Sequence, residues 1–265
     1  MLHTILNFTQ EYHHIYLKLL KNDFKSRYTG SYLGIIWGFV QPVITVLIYW
    51  FVFTIGLRSG ERPDGTPYII WMIAGLLPWF YFSEALGAVT NTFLEYSYLV
   101  KKINFRIGLL PFVKIGSSMI IHFVFLIFST TIFNFYSYPA DWVYLQLVYY
   151  LCAATFLLVG IGFLTSSLAV YLRDTSQIVA IIIQIGFWAI PIVWGPEALG
   201  GKWGIIFQAN PVYFLIEGYR DTFLRGIWFW EKPVYNLYFW VVAGLIWMSG
   251  IRIFRKLKLY FADVL

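Results

Sequence analysis

Polar and aromatic side chains recur inside stretches of this sequence that are otherwise apolar, where they could bind a hydrophilic ligand. Gln41, Thr45 and Tyr49 follow one another at every fourth position, so a helix would present them on one face. Glu84 is an acid in a second apolar stretch. A charge at mid-membrane costs about 2.5 to 3.5 kcal/mol, so we expect Glu84 to face protein or water. Other residues that could line such a polar path are Trp79, Tyr81, Gln184 and Trp188.

Each of these groups also has a structural interpretation. Trp and Tyr rings collect at membrane interfaces whether or not a ligand is bound, and Glu84 could hydrogen-bond to a neighbouring helix. A further polar stripe at helical spacing occupies a third apolar stretch, and it has the same two interpretations. Its members are Lys114, Ser118, His122, Thr130 and Asn134.

A set of basic residues could bind an anionic lipid headgroup, namely Lys25, Arg27, Lys101, Lys102 and Arg106. Lys25 belongs to a segment, Phe8 to Tyr28, in which apolar residues cover one helical face and lysines the opposite one. Such a helix lies at the membrane surface, either as an anchor on lipid phosphates or as a cuff around an entrance for the headgroup. Asp23 falls on the apolar face, so we expect the helix to fray or bend near its end.

The sequence offers no constellation for catalysis or metal binding. His13 and His14 lack partners at ligand spacing, and Cys152 is the single cysteine. The chain also lacks the G-x-x-x-x-G-K-[ST] phosphate loop, because Gly200-Gly201-Lys202 has neither the spacing nor the Ser or Thr that should follow. We therefore expect no enzyme activity, cofactor or metal in this chain, and any ATP hydrolysis must come from another subunit.

Membrane-spanning helices must position these side chains. The sequence is 60% hydrophobic, 22% aromatic and only 12% charged, whereas charged residues alone reach about 25% in soluble proteins. About 20 apolar residues in a helix cross the roughly 30 Å hydrocarbon layer, and six stretches meet this requirement. They are Leu33 to Leu57, Tyr68 to Thr90, Gly108 to Phe135, Leu147 to Tyr171, Ile178 to Trp194 and Val234 to Phe254. The predicted fold class is an all-α integral membrane protein with six transmembrane helices.

Basic residues orient this bundle, since loops rich in Lys and Arg stay in the cytoplasm. Twelve lie on the side that carries both termini and six on the other. We therefore predict cytoplasmic termini and one domain over residues 1–265, with an N-terminal amphipathic interfacial helix (1–32), a six-span bundle (33–254) and a cytoplasmic tail (255–265). Pro196 to Lys232 contains an apolar portion that is too short and too charged to span, and we predict re-entrant or interfacial helices there.

Two connections project on the predicted cytoplasmic side. Glu95 to Arg106 is polar and long enough for about three helical turns, and Tyr171 to Gln177 is a short hydrophilic corner. Each alone could be an ordinary solvated turn. Together they form two projections on one face, which is what a membrane subunit needs to dock a soluble motor protein.

Short motifs follow one another in a definite order along the whole chain. They are Arg27-Tyr28-Thr29-Gly30-Ser31-Tyr32-Leu33-Gly34 with Trp37 and Pro42, Gly75-Leu76-Leu77-Pro78-Trp79, Leu99-Val100-Lys101-Lys102-Ile103 with Leu110-Pro111, Tyr171-Leu172-Arg173-Asp174, Pro191-Ile192, Asn210-Pro211, Tyr219-Arg220 and Phe261-Ala262-Asp263. Their order and spacing resemble the membrane (permease) subunit of ABC-2 type exporters, and within that family the permeases that export O-antigen, teichoic acid and related polysaccharides.

The resemblance implies a homodimer of six-span subunits bound to two copies of an ABC ATPase subunit, which would use ATP and Mg²⁺. It favours the first and fifth spans as walls of the path, which leaves the stripe of the third span structural. Arg173 and Asp174 could instead cap neighbouring helices. The resemblance also implies that the loops after the second and fourth spans dock the ATPase, through Glu95, Tyr98, Lys101, Arg173 and Asp174.

The implied function is ATP-driven export of a lipid-diphosphate-linked glycan across a bacterial inner membrane, with no nucleic acid partner. Such a polymer needs a polar or aromatic path, because each unpaired hydroxyl in hydrocarbon costs a few kcal/mol. The rings could stack on sugars, and the basic set would gather the headgroup. The alternatives are an exporter of drugs or small lipids in the same superfamily, a secondary transporter with a buried relay such as Glu84 and His122, and an integral-membrane enzyme.

Overall fold

The computed structural model describes residues 2–30, 32–56, 60–102, 105–195 and 207–265, with their side chains except those of residues 2–12 and 28. This part of the chain is helical and forms no β-sheet, although an isolated antiparallel bridge joins Glu61 and Pro67. The helices are α1 (Leu2–Tyr28), α2 (Gly34–Gly56), α3 (Tyr68–Thr90), α4 (Thr92–Glu95), α5 (Ser97–Val100), α6 (Ile107–Phe135), α7 (Trp142–Tyr171), α8 (Thr175–Ala189), α9 (Pro211–Arg220) and α10 (Pro233–Val264).

Five of these helices, α2, α3, α6, α7 and α10, are long and apolar enough to cross a membrane. α8, in the fifth predicted span, has 15 residues and is therefore about 22 Å long, less than the hydrocarbon layer. It ends at Ala189 because a proline disfavours helical geometry in the residue before it, and Ile190, which precedes Pro191, is extended (φ −86°, ψ 138°). The predicted span Ile178 to Trp194 is thus helical only in its first part.

Some predicted features lie outside the described residues. They are Ser31 of the first motif, Leu57 at the end of the first predicted span, Ile103 and Asn104 of the predicted connection Glu95 to Arg106, and residues 196–206 of the predicted outer segment, which include Gly200-Gly201-Lys202.

α3 is the centre of the bundle. It packs against α6, α7, α8 and α9, and most of its residues are buried. Its sequence is apolar on all sides, as a helix surrounded by other helices requires. α2 is the opposite case, because none of its residues is buried and it rests on the edge of the bundle against α3.

α7 and α10 pack side by side and run in the same direction. Near their beginnings the Tyr149 hydroxyl donates to Asn236 Oδ1 (2.6 Å), and near their ends the Tyr171 hydroxyl donates to the Leu257 carbonyl (3.1 Å). Between these points the backbones approach closely at Gly160 and Gly250. We call the end of the bundle where α7 and α10 finish the α1 end, and the end where they begin the α9 end.

α1 packs against the beginning of α6. A Cβ at Gly116 of α6 would lie 2.4 Å from the Tyr16 hydroxyl, so only glycine admits this ring. The helix continues without a break to Tyr28, and the expectation that it frays near Asp23 is wrong. Asp23 lies on the packed face because a basic partner on α6 compensates its charge, while Lys18, Lys21 and Lys25 are exposed on the opposite side.

The close approach of α7 and α10 predicts the effect of adding one methyl group. In Gly250→Ala the new Cβ would lie 2.1 Å from the Gly160 carbonyl oxygen, so the helices must separate, at a cost of about 1–3 kcal/mol. Gly244→Ala is the matched control, because a Cβ there has nothing within 4 Å and alanine favours the helix. Thermal unfolding of the purified variants in detergent measures the difference. Equal midpoints for the two variants would contradict the close approach.

Candidate functional site

A polar cavity of about 510 Å³ opens between α2, α3, α6 and α8. It brings together four of the residues predicted to line a polar path, Gln41, Thr45, Tyr81 and Glu84, and adds His122 from α6. Trp37, Ser83, Phe80 and Phe125 complete much of the wall. An open space with amide, hydroxyl, carboxylate and ring groups, set among apolar helices, can hold a hydroxyl-rich ligand by hydrogen bonding and stacking.

α2 contributes polar backbone as well as side chains to this cavity. Pro42 has no N–H and therefore leaves the carbonyl of Gly38 without its helical donor, and both residues line the cavity. The Thr45 hydroxyl donates to the Gln41 carbonyl (2.9 Å). Pro42 thus leaves one backbone acceptor of α2 without its helical partner, at a residue that lines the cavity.

An apolar groove of about 340 Å³ adjoins the polar cavity toward the α9 end. The two spaces share Leu77, Phe80 and Phe125, and the groove continues between Val43 and Leu47 of α2 and the facing side of α6. A polar space next to an apolar one suits a ligand that has both characters.

His122 is a member of the third-span stripe that was expected to be structural. It is buried, its Nε2 lies 2.7 Å from the Tyr219 hydroxyl of α9, and its ring stacks on Tyr81 with the centroids 4.9 Å apart. It therefore joins the cavity wall to α9. Thr130 and Asn134 of the same stripe instead bond to backbone carbonyls of α6. The helical spacing of the stripe indicated that His122 could line a polar path. It could not distinguish His122 from the other members, because all of them share that spacing.

The remaining predicted path residues lie outside this cavity, around α8. Tyr49 of α2 stacks on Phe187 with the centroids 5.4 Å apart, and Trp79 of α3 lies beside the same ring at 5.9 Å. Gln184 and Trp188 are exposed on the outer face of α8. The structure therefore places Tyr49 and Trp79 along the contact of α2, α3 and α8, and Gln184 and Trp188 on the outer face of α8, all four outside the cavity.

Arg27, one of the basic residues predicted to bind a headgroup, is held by side chains of the bundle. Its guanidinium donates to Glu84 Oε1 (2.7 Å), Ser118 Oγ (3.1 Å) and Asp23 Oδ2 (3.2 Å). Because Glu84 also lines the polar cavity, Arg27 stands at the edge of that cavity and compensates its acid. This position ties the end of α1 to both α3 and α6.

Lys114 and Asp23 form a buried ion pair beside Arg27. Lys114 Nζ lies 2.7 Å from Asp23 Oδ1 and 2.5 Å from Glu95 Oε2, and the Tyr96 hydroxyl also donates to Asp23 (2.7 Å). Burial alone would raise the pKa of the Asp23 carboxyl, but Lys114, Tyr96 and Arg27 together hold it below its ordinary value. We call Asp23, Arg27, Glu84, Glu95 and Lys114 the inner ion cluster.

The other basic residues of the predicted entrance are exposed near this cluster. Lys25, Lys101, Lys102 and Arg106 all lie at the surface of the α1 end. The basic residues of the α1 end are mostly exposed. The α9 end instead holds a buried cation that the sequence analysis named only within a motif, without a role.

Arg220 of α9 is that buried cation. Its guanidinium donates to the carbonyls of Pro191 (2.8 Å) and Ile192 (2.7 Å) and to Glu217 (2.8 Å), and it lies 3.5 Å from the centre of the Trp71 ring. Burial alone would raise the pKa of the Glu217 carboxyl, but Arg220 and Arg225 lower it to about 2. Arg220 therefore joins α9 to α3 and to the irregular backbone after α8 through charge-assisted hydrogen bonds.

The residues predicted to dock an ATPase lie at the surface of the α1 end. Glu95 and Tyr98 are exposed on α4 and α5, Lys101 follows them, and Arg173 and Asp174 are exposed at the corner between α7 and α8. The two connections are joined, because the Ser176 hydroxyl donates to Asn91 Oδ1 (2.6 Å). Buried Phe93 anchors α4 through Phe254 and Phe261 of α10, with centroids 5.6 and 5.1 Å away.

Within the described residues, no three His, Cys, Asp or Glu side chains come together to hold a metal ion. Apolar membrane helices around a polar cavity, without a phosphate loop in the sequence, define a multi-pass membrane permease. The chain belongs to the ABC-2 type transporter family, which matches residues 16–224.

Relatives of this chain carry a common name. It is 27% identical over 251 residues to an O-antigen export system permease protein RfbA of Klebsiella pneumoniae, with 93% of both chains covered. A second Klebsiella pneumoniae protein of the same name is 25% identical over 250 residues, again with 93% of both chains covered. RfbA of Myxococcus xanthus is 26% identical over 216 residues, which are 80% of this chain and 81% of that protein. The chain is accordingly the transmembrane subunit of an ABC exporter.

The inner ion cluster predicts a pH-dependent loss of stability. Lys114→Met leaves the buried Asp23 carboxylate without its nearest cation, so we expect a loss of about 3–5 kcal/mol at pH 7. Because the pKa of Asp23 is lowered in the folded protein, the ion pair contributes fully above the unfolded value of about 3.9 and is lost as the pH falls through the folded pKa. The difference in the free energy of unfolding between the wild type and Lys114→Met should therefore become smaller below about pH 4. Lys21→Met, at an exposed site of α1, is the control. If thermal unfolding shows the same difference between the two proteins from pH 7 to pH 3, the ion pair between Asp23 and Lys114 is contradicted.

A change to lysine should destabilise the protein more at buried Arg220 than at its exposed neighbour Arg225. Lysine retains the charge at position 220 but not the fork that reaches two carbonyls and a carboxylate. We expect Arg220→Lys to destabilise by about 2–4 kcal/mol and Arg225→Lys, whose side chain is 31% exposed, by less than about 1 kcal/mol. Thermal unfolding of both variants in one detergent measures the comparison. A cost at position 225 equal to that at position 220 would contradict the role of the buried fork.

Proposed function

We propose that this chain is the permease of an exporter that moves a lipid-diphosphate-linked polysaccharide, O-antigen-like or teichoic-acid-like, across a bacterial inner membrane. The observation that carries the proposal is the polar cavity among apolar helices, which offers Gln41, Thr45, Tyr81, Glu84 and His122 to a hydroxyl-rich ligand. The names of the relatives, which match over most of the chain, support the class of substrate. ATP and Mg²⁺ are used by two copies of a partner ATPase.

A homodimer completes the cavity in this proposal. No residue of α2 is buried, and α8 exposes the large apolar side chains Ile178, Ile181, Ile182 and Ile185. A second copy that packs on these faces would enclose the polar cavity on its open side and form a path between the two subunits. α2 and α8 would then be its walls, with Tyr49, Trp79, Gln184 and Trp188 close to the seam.

The direction of the helices supports a sixth crossing by α8 and the backbone that follows it. α7 and α10 run in the same direction, so the chain between them must return to the opposite end of the bundle. α8 starts this return, and α9, with 10 residues, is only about 15 Å long and does not span. We infer six spans with re-entrant or interfacial helices after the fifth, an interfacial α1 and both termini in the cytoplasm.

The α1 end provides the entrance and the docking surface in this proposal. Lys25, Lys101 and Lys102 are exposed there and would attract the diphosphate, with Arg106 beside them. Arg27 would act behind them, since its present partners are Glu84, Asp23 and Ser118. Glu95, Tyr98, Lys101, Arg173 and Asp174 would contact the ATPase, whose nucleotide-driven movement would open the path.

An exporter of drugs or small lipids is the second candidate. The apolar groove of about 340 Å³ beside the polar cavity favours it, because Val43, Leu47 and Ile132 would suit an acyl chain without any glycan. The same groove fits the lipid part of a lipid-linked glycan. The substrate therefore has to be distinguished by its effect on the complete transporter.

ATPase activity of the complex of this chain and its partner, reconstituted in liposomes, tests the proposal. Lipid-diphosphate-linked glycans should stimulate hydrolysis, and the double variant Lys25→Ala with Lys102→Ala should need about threefold to tenfold more glycan for half-maximal stimulation, because two headgroup contacts are lost. Arg255→Ala with Lys256→Ala, at exposed sites of the same end, is the control. Stimulation by amphiphilic drugs but by no glycan would reject the polysaccharide assignment.

A further inference from the structure

A smaller cavity of about 140 Å³ lies at the α9 end, away from the polar cavity. It is enclosed by α9, the first turns of α7 and α10, and Phe229 in the segment that joins α9 to α10. Tyr235, which is 48% exposed, and Gln208 stand at its rim. The cavity can therefore be reached from the surface, and none of its lining residues was used in the function proposed above.

Two buried phenol groups line this cavity without a protein partner. Tyr150 and Tyr213 are 2% and 7% exposed, and among the described residues neither hydroxyl forms a hydrogen bond. The rings are buried, but neither hydroxyl oxygen is enclosed by protein, so each is open to water or to a ligand in the cavity. The other buried tyrosines of this end are satisfied, since Tyr68 donates to the Val193 carbonyl and Tyr219 pairs with His122. The hydroxyls of Tyr150 and Tyr213 are therefore available to hydrogen-bond to a polar ligand in the cavity.

Carboxylates and one ammonium group complete the polar wall. Glu217 and Asp221 line the cavity together with Lys232, which pairs with Asp221. Arg220 and Arg225 neutralise the acids from outside the cavity. Each paired carboxylate retains lone pairs that can accept from a hydroxyl. An anionic ligand would meet two carboxylates here, so the wall favours a neutral ligand with several hydroxyls.

Flat rings form the apolar part of the wall. Phe229 is held by stacking on Tyr149 with the centroids 4.0 Å apart, and Phe214 by stacking on Phe239 at 4.6 Å. Both rings are therefore fixed in place before a ligand arrives. A pyranose ring has C–H groups on its faces and hydroxyls around its edge, and it matches a site with flat rings and surrounding hydrogen-bonding groups.

We propose that this cavity binds one neutral sugar ring at the α9 end of the permease. A cavity of this size encloses about one six-membered ring, so the site admits a single sugar ring, with part of its hydroxyls in the open rim beside Tyr235 and Gln208, and not an oligosaccharide. The proposal rests on the function above only in taking the sugar to be a unit of the exported glycan. The phenols of Tyr150 and Tyr213 donate to ring hydroxyls, which in turn donate to Glu217 and Asp221.

Saturation-transfer difference NMR on the full-length permease alone, in a detergent without a sugar headgroup, tests the site. The probes are methyl glycosides of glucose, galactose, mannose and rhamnose. At least one should bind, and Tyr150→Phe with Tyr213→Phe should weaken it about tenfold or more, because two hydrogen bonds are lost while both rings remain. Tyr144→Phe, on α7 at the same end but outside the cavity, should bind as the wild type does.

The outcomes separate this site from the proposed function. Binding that weakens in the double variant and not in the control supports the site. No binding by any glycoside, or equal binding by the double variant and the wild type, overturns it and leaves a cavity filled by water only. The assay contains neither the ATPase nor a lipid-linked glycan, so its failure leaves the exporter assignment intact. Conversely, glycoside binding without glycan-stimulated ATPase activity would reject the polysaccharide assignment and retain the site.

Discussion

Backbone carbonyls that leave a helix within an apolar region need donors from the protein itself, and Arg220 meets this need. After α8 ends, the carbonyls of Pro191, Ile192 and Val193 accept from Arg220 and from the hydroxyl of Tyr68. These donors belong to α9 and α3, so one irregular turn holds three helices together. The position of α8, and with it one wall of the polar cavity, depends on this turn. The same turn fixes α9, whose Tyr219 bonds to His122 and whose other residues line the smaller cavity.

At the opposite end of the bundle, the buried charges of the inner ion cluster likewise need partners from the protein itself. Lys114 and Asp23 are buried as a pair, Arg27 also pairs with Glu84 and Lys114 also pairs with Glu95, so three carboxylates surround two cations. Partial burial of this kind is stable only while every partner is present. An incoming diphosphate would compete with these carboxylates for the same cations. A headgroup should therefore contact the exposed lysines before it contacts Arg27. Arg27, which is bonded to Glu84, connects the proposed entrance to the polar cavity.

Local sequence pattern predicted most of the helices and part of the site. The span Tyr68 to Thr90 was predicted with the bounds that the structure has, because hydropathy and length alone decide whether a segment crosses. Gln41 and Thr45 were expected on a polar path from their helical spacing, and Glu84 from the cost of a charge in a membrane. All three line one cavity. The errors concern residues whose partners are far away along the chain. Asp23 conflicts with the helical wheel of α1 only until Lys114 is brought beside it, and Arg220 is an ordinary outer cation until the turn after α8 is seen.

The sequence by itself determined that this chain consists of apolar helices, several of them long enough to cross a membrane, where its charges gather and that it carries no phosphate loop. These properties follow from composition and short-range spacing, since the membrane acts on each segment separately. Only the tertiary structure decided that His122 belongs to a cavity wall and that α7 and α10 run in parallel. It alone placed Tyr150 and Tyr213, whose hydroxyls bond to none of the described residues, together in a second cavity. These facts depend on contacts between residues distant in sequence, and such contacts arise from packing and pairing among helices that no local pattern encodes.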